Sequence, residues 1–165
     1  MYNNHMYSEV APTFFWSGVF SQWHKAWMTI DGQVFNCCEQ YMMWCKAVVF
    51  GDNETAAKIL QTNNPREQKQ LGRSVKGFNA DIWNLVSRDF VFRANMAKFS
   101  QNRDLRNTLI GTAGTLLIEA SHLDKIWGIG YDEENAVQVN RDFWGSNWLG
   151  LVLTEVRDIM IGCVV

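Results

Sequence analysis

The stretch from Glu39 to Phe50 reads Glu-Gln-Tyr-Met-Met-Trp-Cys-Lys-Ala-Val-Val-Phe, a run of helical composition that is apolar almost all the way round. A helix with no polar face is stable only when other elements cover it on every side. This segment is therefore expected to be buried. Two charges interrupt it. Glu39 and Lys46 are seven residues apart, which puts them on one face and about 10 Å apart along the axis at 1.5 Å per residue. Burying a lone carboxylate or ammonium costs several kcal/mol, and two arrangements avoid that cost. Glu39 can favour the helix N-terminus through the dipole while Lys46 snorkels to water, or both can face a polar cavity as functional groups.

A chain of 165 residues encloses such a helix in a single core of ordinary size without needing disulfides or a structural metal. Lys and Arg number 15 against 17 Asp and Glu. With no cationic excess to release counterions from a phosphate backbone, tight sequence-blind binding to nucleic acid is not expected. The longest apolar runs, 148–153 and 47–50, fall far short of the roughly 20 residues a bilayer requires, so no membrane association is expected. Residues 1–10 contain no Lys or Arg and no continuous apolar core, unlike a secretory signal. Cys37, Cys38, Cys45 and Cys163, with His5, His24 and His122, match no metal-ligand spacing. The cysteines read as reduced core thiols in a cytoplasmic protein that needs neither metal nor cofactor. Cys38 and Cys45 are possible nucleophiles, but no nearby histidine in the sequence activates them.

Several elements announce themselves along the chain. Residues 1–12 lack periodicity and read as an N-terminal arm before a domain of residues 13–165. Asp31-Gly32 between apolar-rich runs in 23–35 predicts a tight-turn hairpin. Gly51 ends the apolar helix and Asp52 caps a second, to about Gln61. Asn64-Pro65 starts a third, which Leu71-Gly72 ends. Asn79 caps the longest helix, 80–99, with Trp83, Val86, Phe90, Ala94 and Ala97 as its buried stripe. A shorter helix follows over 103–110. Residues 115–118 predict a buried strand that delivers Glu119 at its end. Leu149, Val152, Leu153, Val156 and Met160 mark a closing helix capped by Ser146 or Asn147. Residues 128–145 show no regular pattern and read as a binding loop or lid.

Three further features carry chemistry. Glu119 and Asp124 form a second acidic pair at a strand end and in the following loop, where catalytic groups commonly stand. Asp124 also reads as a plain turn cap. Trp127-Gly128-Ile129-Gly130 joins a flat aromatic face to two residues that admit a ligand close to the backbone, although the longer dinucleotide fingerprint is absent. Eight tryptophans supply surfaces on which a base can stack, most of them core residues by default.

Taken together, these residues resemble the NADAR family, the YbiA-like N-glycosidases, over about Phe14 to Met160. The match is carried by Phe35-x-x-x-Glu39-Gln40-Tyr41 with Lys46-Ala47, by Leu71-Gly72-Arg73 before Trp83, and by Ala97-Lys98-Phe99-x-Gln101-Asn102. It continues through Leu117-Ile118-Glu119-Ala120-Ser121, Asp124-x-x-Trp127-Gly128-x-Gly130, Gly145-x-Asn147-x-Leu149-Gly150 and Val156-Arg157. The resemblance implies a compact, mostly helical α+β fold in a single domain, with a small β-hairpin or short sheet. It also implies hydrolysis of a ribosyl C–N bond. The implied substrates are phosphoribosylamino-pyrimidine intermediates of riboflavin synthesis or ADP-ribosylated guanine in nucleic acid. By resemblance Glu39, Trp83, Asp124 and Trp127 fall at active-site positions, with Lys46 and Glu119 near them.

Roles follow from the reaction. Breaking the bond builds positive charge on the sugar and negative charge on the departing nitrogen. Glu39, kept ionised by a cation such as Lys46, is expected to stabilise the sugar or orient water. Asp124 assists proton transfer or holds the ribose, and Lys46 allows a Schiff-base route. Trp83 and Trp127 are expected to clamp the ligand and Arg73 to hold a phosphate, with Glu119, Gly128, Gly130 and Asn147 also contributing to binding. The chain departs from the family's Phe-Leu-Ser-Asn-Phe segment at Phe15-Trp16-Ser17-Gly18-Val19-Phe20, where Gly18 removes a side-chain amide, and Ser146 replaces a frequent Lys before Asn147. A catalytically silent nucleotide- or ADP-ribose-binding module is the alternative from another class. The sequence leaves the oligomeric state open.

Overall fold

The computed structural model describes residues 9–162. Most of the expected N-terminal arm lies outside that range, as do His5 and Cys163. The chain divides into two compact units. One comprises residues 22–103, and the other combines the segment up to Ser21 with that from Asp104 onward.

In the unit of residues 22–103, the apolar helix is α1, Cys38–Val49, and eight of its twelve residues are buried. It is covered as its sequence requires, by α2 (Asn53–Gln61), α3 (Pro65–Arg73) and α4 (Ala80–Gln101). A hairpin of β2 (Met28–Ile30) and β3 (Gln33–Phe35) packs on α4 and α1. Its turn residues Asp31 and Gly32 both take positive φ, 50° and 82°, as a two-residue turn of this type demands. Met28, Ile30, Phe35, Cys38, Tyr41, Cys45 and Ala94 form the core.

Polar side chains tie the start of α1 to its neighbours. Gln40 Oε1 accepts from the Asn36 N–H, while its Nε2 donates to the carbonyls of Ile59 and Thr62. Gln68 Nε2 donates to Asn36 Oδ1 and to the Thr62 carbonyl. These bonds lock the α2–α3 connection against α1.

Two expectations in this unit are corrected. Gly72 does not end α3, which runs on to Arg73. A Cβ at Gly72 would collide with the Met43 side chain, so the glycine there serves the close approach of α3 to α1. The buried face of α4 is Trp83, Ser87, Val91, Ala94, Asn95, Lys98 and Phe99, whereas Val86, Phe90 and Ala97 are only partly buried. An apolar count missed it because three of the buried positions are polar.

In the other unit, β1 (Pro12–Phe15) pairs in parallel with β4 (Leu116–Glu119), in register from Pro12 with Leu116 to Phe15 with Glu119. Pro12 thus opens a strand and does not belong to an arm. Helix α5 (Arg103–Ile110) leads toward β4, and α7 (Trp148–Gly162) packs on it. Leu116, Ile118, Ile129, Ala136 and Leu151 are the core. Buried Arg157 donates to the carbonyls of Thr112 and Thr115 and fixes the α5–β4 connection.

Residues 128–145 are more regular than expected. They contain α6 (Glu133–Ala136) and a 3₁₀ turn at Arg141–Phe143, started by Asp132 and Asn140, whose side chains accept main-chain N–H groups. The ends of the stretch are pinned by Gly145 N–H to Ile129 O (2.8 Å) and Asn147 N–H to Gly128 O (3.1 Å).

Candidate active site

The unit of residues 22–103 brings together Glu39, Lys46, Arg73 and Trp83. Glu39 stands in the first turn of α1 and is 5% exposed. Burial pushes its carboxyl up to about 7. The opposing influences, in decreasing order, are the charge of Lys69, a hydrogen bond from the Trp23 indole, and the charges of Arg73 and Lys46. The expected help from a neighbouring cation such as Lys46 is present, but burial is the larger influence and works against the ionised form. The group titrates near neutrality, and Lys69 is its strongest cationic neighbour. Lys69 and Arg73, four apart on α3, share one helical face, a spacing that offered a signal for Lys69. Trp23 had none beyond its identity.

Lys46 lies in the last turn of α1. Its Nζ is 4.0 Å from the centre of the Phe78 ring and 6.0 Å from that of Trp83. Burial and the charge of Arg73 lower its pKa, and Glu39 partly offsets them. Trp83 is buried and stacks on Phe90 at 6.0 Å with 21° between the planes. Three cations, one carboxyl poised near neutrality and two aromatic faces thus converge. Such a set can hold an anion, stack a flat or apolar group and exchange a proton. Phe78 is a further member that the sequence reading did not single out.

The cysteines are not nucleophiles in waiting. Burial raises the Cys38 thiol to about 11 and the Cys45 thiol to about 12, far from the thiolate form. A groove of about 540 Å³ lined by Phe50, Gly51, Asp52, Asn53, Glu54, Lys76 and Gly77 lies past the other end of α1 from Glu39. Its Asp52 carboxylate already accepts from Thr55 and from the Lys76 N–H, which leaves it a structural cap.

Glu119, Asp124, Trp127, Gly128, Gly130 and Asn147 stand together in the other unit. Asp124 Oδ1 accepts the N–H groups of Ile126 and Trp127, both at 2.8 Å, so the turn-cap reading holds for that oxygen. Trp127 packs edge-on against Trp148, with centroids 5.5 Å apart.

The glycines serve the loop itself. A Cβ on Gly128 would lie 2.9 Å from the Glu119 carbonyl, and one on Gly130 2.6 Å from Lys125 Cγ. Asn147 is not a side-chain cap for α7. It is buried at φ 50°, and its amide accepts from the Glu119 N–H (3.0 Å) and donates to the Leu117 carbonyl (3.0 Å). Glu119, at the end of β4, is partly buried. Gly18 has φ +75° and open space around its α-carbon.

A family model described as NADAR domain matches residues 14–161. The chain belongs to the NADAR domain family. The resemblance read from the sequence is thus established across both units. Among relatives of this NADAR chain, Protein irg-1 of Caenorhabditis elegans is 46% identical over 127 residues, covering 75% of the chain and 60% of irg-1. N-glycosidase R617 of Acanthamoeba polyphaga mimivirus is 40% identical over 146 residues, covering 85% of the chain and 86% of the viral protein. The chloroplastic riboflavin biosynthesis protein PYRR of Zea mays is 35% identical over 121 residues, which cover 68% of the chain but only 18% of the maize protein.

The NMR structure of the E. coli protein YbiA superposes with a TM-score of 0.76 at 26% identity, over 93% of this chain and 88% of that one. It bears out the mostly helical α+β architecture. Among the described residues no helix is long and apolar enough to cross a membrane, and no group of three or more His, Cys, Asp or Glu side chains is arranged to hold a metal ion.

Proposed function

We propose that this protein is an N-glycosidase that hydrolyses the bond between a ribosyl carbon and a nitrogen in a substrate that also carries phosphate. The enzyme class is supported by family membership and by the N-glycosidase that matches most of both chains. The observation that carries the chemistry is Glu39, a buried carboxyl at about 7 facing Lys69, Arg73 and Lys46. A group titrating near the working pH is the best compromise between holding a proton and giving it up. Protonated Glu39 gives its proton to the departing nitrogen as the C–N bond breaks. The resulting carboxylate then stabilises the positive sugar carbon and takes a proton from the water that adds there. Three cations against one carboxyl whose ionisation burial opposes favour an anionic ligand, and the forked guanidinium of Arg73 suits a phosphate.

Lys46 favours a second route. Burial and Arg73 bias its amine toward the neutral form, the form that attacks carbon. The amine bonds to the sugar carbon as the base leaves with a proton, the ring opens to an imine, and water releases the sugar. Borohydride applied during turnover traps that imine as a mass adduct on Lys46, and absence of the adduct leaves direct attack by water.

The roles of Asp124, Trp127 and Glu119 rest on their places in the family pattern, and replacing each with Asn, Leu and Gln respectively tests them. The buried free thiols Cys37, Cys38 and Cys45 suit a reducing, cytoplasmic setting. The substrate is decided by assaying the protein side by side on a phosphoribosylamino-pyrimidine and on an oligonucleotide bearing ADP-ribosylated guanine. Release of free base from one alone identifies the substrate class. Release from neither overturns the enzymatic reading in favour of a binding module.

A further inference from the structure

The buried face of α4 that carries Trp83 continues through Ser87, Val91 and Asn95 at four-residue steps. Asn95 is held by three bonds. Its Nδ2 donates to the Val91 carbonyl (2.9 Å) and to Gln22 Oε1 (3.0 Å), and its Oδ1 accepts from the Cys38 thiol (3.7 Å). A main-chain carbonyl only accepts, so the Val91 bond fixes which end of the Asn95 amide is nitrogen. That in turn fixes the oxygen of Gln22 toward Asn95. Gln22 must turn its Nε2 elsewhere, and this nitrogen is buried with no hydrogen-bond partner among the described residues.

Gln22 is 8% exposed, and an unmet donor at such a depth costs about 1–3 kcal/mol, which is why buried polar groups are nearly always paired. The main chain sets Gln22 beside the carboxyl of the site. Its carbonyl accepts the Glu39 N–H at 3.0 Å, and the indole of the next residue, Trp23, donates to the Glu39 side chain. One turn past Trp83, the Ser87 hydroxyl is likewise buried with no hydrogen-bond partner among the described residues, although a helical serine can bond back to the carbonyl four residues earlier.

We infer that Gln22 Nε2 is a substrate-binding donor for a hydroxyl of the ribosyl group, with the Ser87 hydroxyl as a second contact. This rests on the ribosyl reading of the Glu39 site. A neutral amide N–H and a hydroxyl match a neutral sugar hydroxyl, which both accepts and donates. The anionic part of the ligand has Lys46, Lys69 and Arg73.

The test is isothermal titration of wild type, Gln22→Met and Asn95→Asp with ribose 5-phosphate, ADP-ribose and inorganic phosphate, with thermal unfolding as a check on the fold. Gln22→Met keeps the volume and removes the donor. Asn95→Asp turns the group facing Gln22 into an acceptor, so the Gln22 amide rotates and its Nε2 leaves the site. Both variants are expected to weaken ribose 5-phosphate and ADP-ribose by about 3- to 10-fold, the worth of one neutral hydrogen bond, and to leave phosphate unchanged. Equal weakening of all three ligands, or unchanged sugar binding, overturns the role of Gln22 and leaves the proposed function standing. A wild type that binds neither ribose 5-phosphate nor ADP-ribose overturns both.

Discussion

A carboxyl in the first turn of a helix ordinarily benefits from the dipole and from unsatisfied N–H groups. Glu39 goes the other way because burial outweighs both that field and three nearby cations. Its effect on stability has a definite sign. The unfolded chain ionises near 4.5 and the folded one near 7. Between these values the folded state holds the extra proton, and stability falls as pH rises. Above about 7 the full penalty is present. Glu39→Gln is therefore expected to stabilise the fold at pH 8, by up to about 3 kcal/mol at 1.36 kcal/mol per tenfold shift in ionisation, and by less than about 1 kcal/mol at pH 5. Urea unfolding at the two pH values measures the difference, and a variant less stable than wild type at pH 8 contradicts the assignment. The same variant is expected to lose nearly all turnover, since it cannot give up a proton. In wild type, kcat/KM is expected to fall about tenfold per pH unit above 7. Gly18 is a second test at this scale. Its φ of +75° in open space is a conformation that Asn tolerates better than most residues. Gly18→Asn is expected to fold with a stability loss below about 1 kcal/mol and to show its effect in the relative rates on the two candidate substrates.

Elements with local signals were legible. Asp52, Asn64 and Asn79 each accept a main-chain N–H at the head of α2, α3 and α4, and the Asp-Gly hairpin turned where it should. What stayed hidden depends on pairs distant in sequence. β1 has only four residues and its partner lies about a hundred positions away, so nothing local marks it as a strand. Asn147 looked like a helix cap, yet its amide bonds β4. Gly128 and Gly130 looked like room for a ligand, yet the space is taken by the chain's own atoms, and the same holds for glycines that carried no such expectation. Gly150 is the sharpest case, because a Cβ there would strike the Leu117 carbonyl and the Asn147 amide. Gly150→Ala is expected to destabilise the protein by about 1–3 kcal/mol through overpacking against backbone that cannot yield. A midpoint in chemical unfolding indistinguishable from wild type would refute this account of α7 against β4. At the candidate site, Glu39, Lys46, Arg73 and Trp83 were legible from charge in an apolar run and from the family pattern. Lys69 had only its four-residue spacing from Arg73 on α3 as a signal, and Trp23 and Phe78 had none beyond their identity.

At the scale of the molecule, a formal net charge of −2 leaves recognition to a local cluster of cations, with no general attraction to polyanions behind it. Unmodified duplex DNA is expected to show no retention in a gel-shift assay at about 150 mM salt, near the ionic strength where the Debye length is about 8 Å. Retention there would mean that a nucleic-acid surface exists apart from the Glu39 site. The two units also differ in how they use the chain. One is continuous from Gln22 to Arg103, while the other draws on both sides of it. On a ribosome adding about 5–20 residues per second, every residue of the continuous unit is made before the partner of β1 exists. Pro12–Phe15 must then wait several seconds for Leu116–Glu119, an interval in which an unpaired strand edge is open to whatever protein or chaperone meets the nascent chain first.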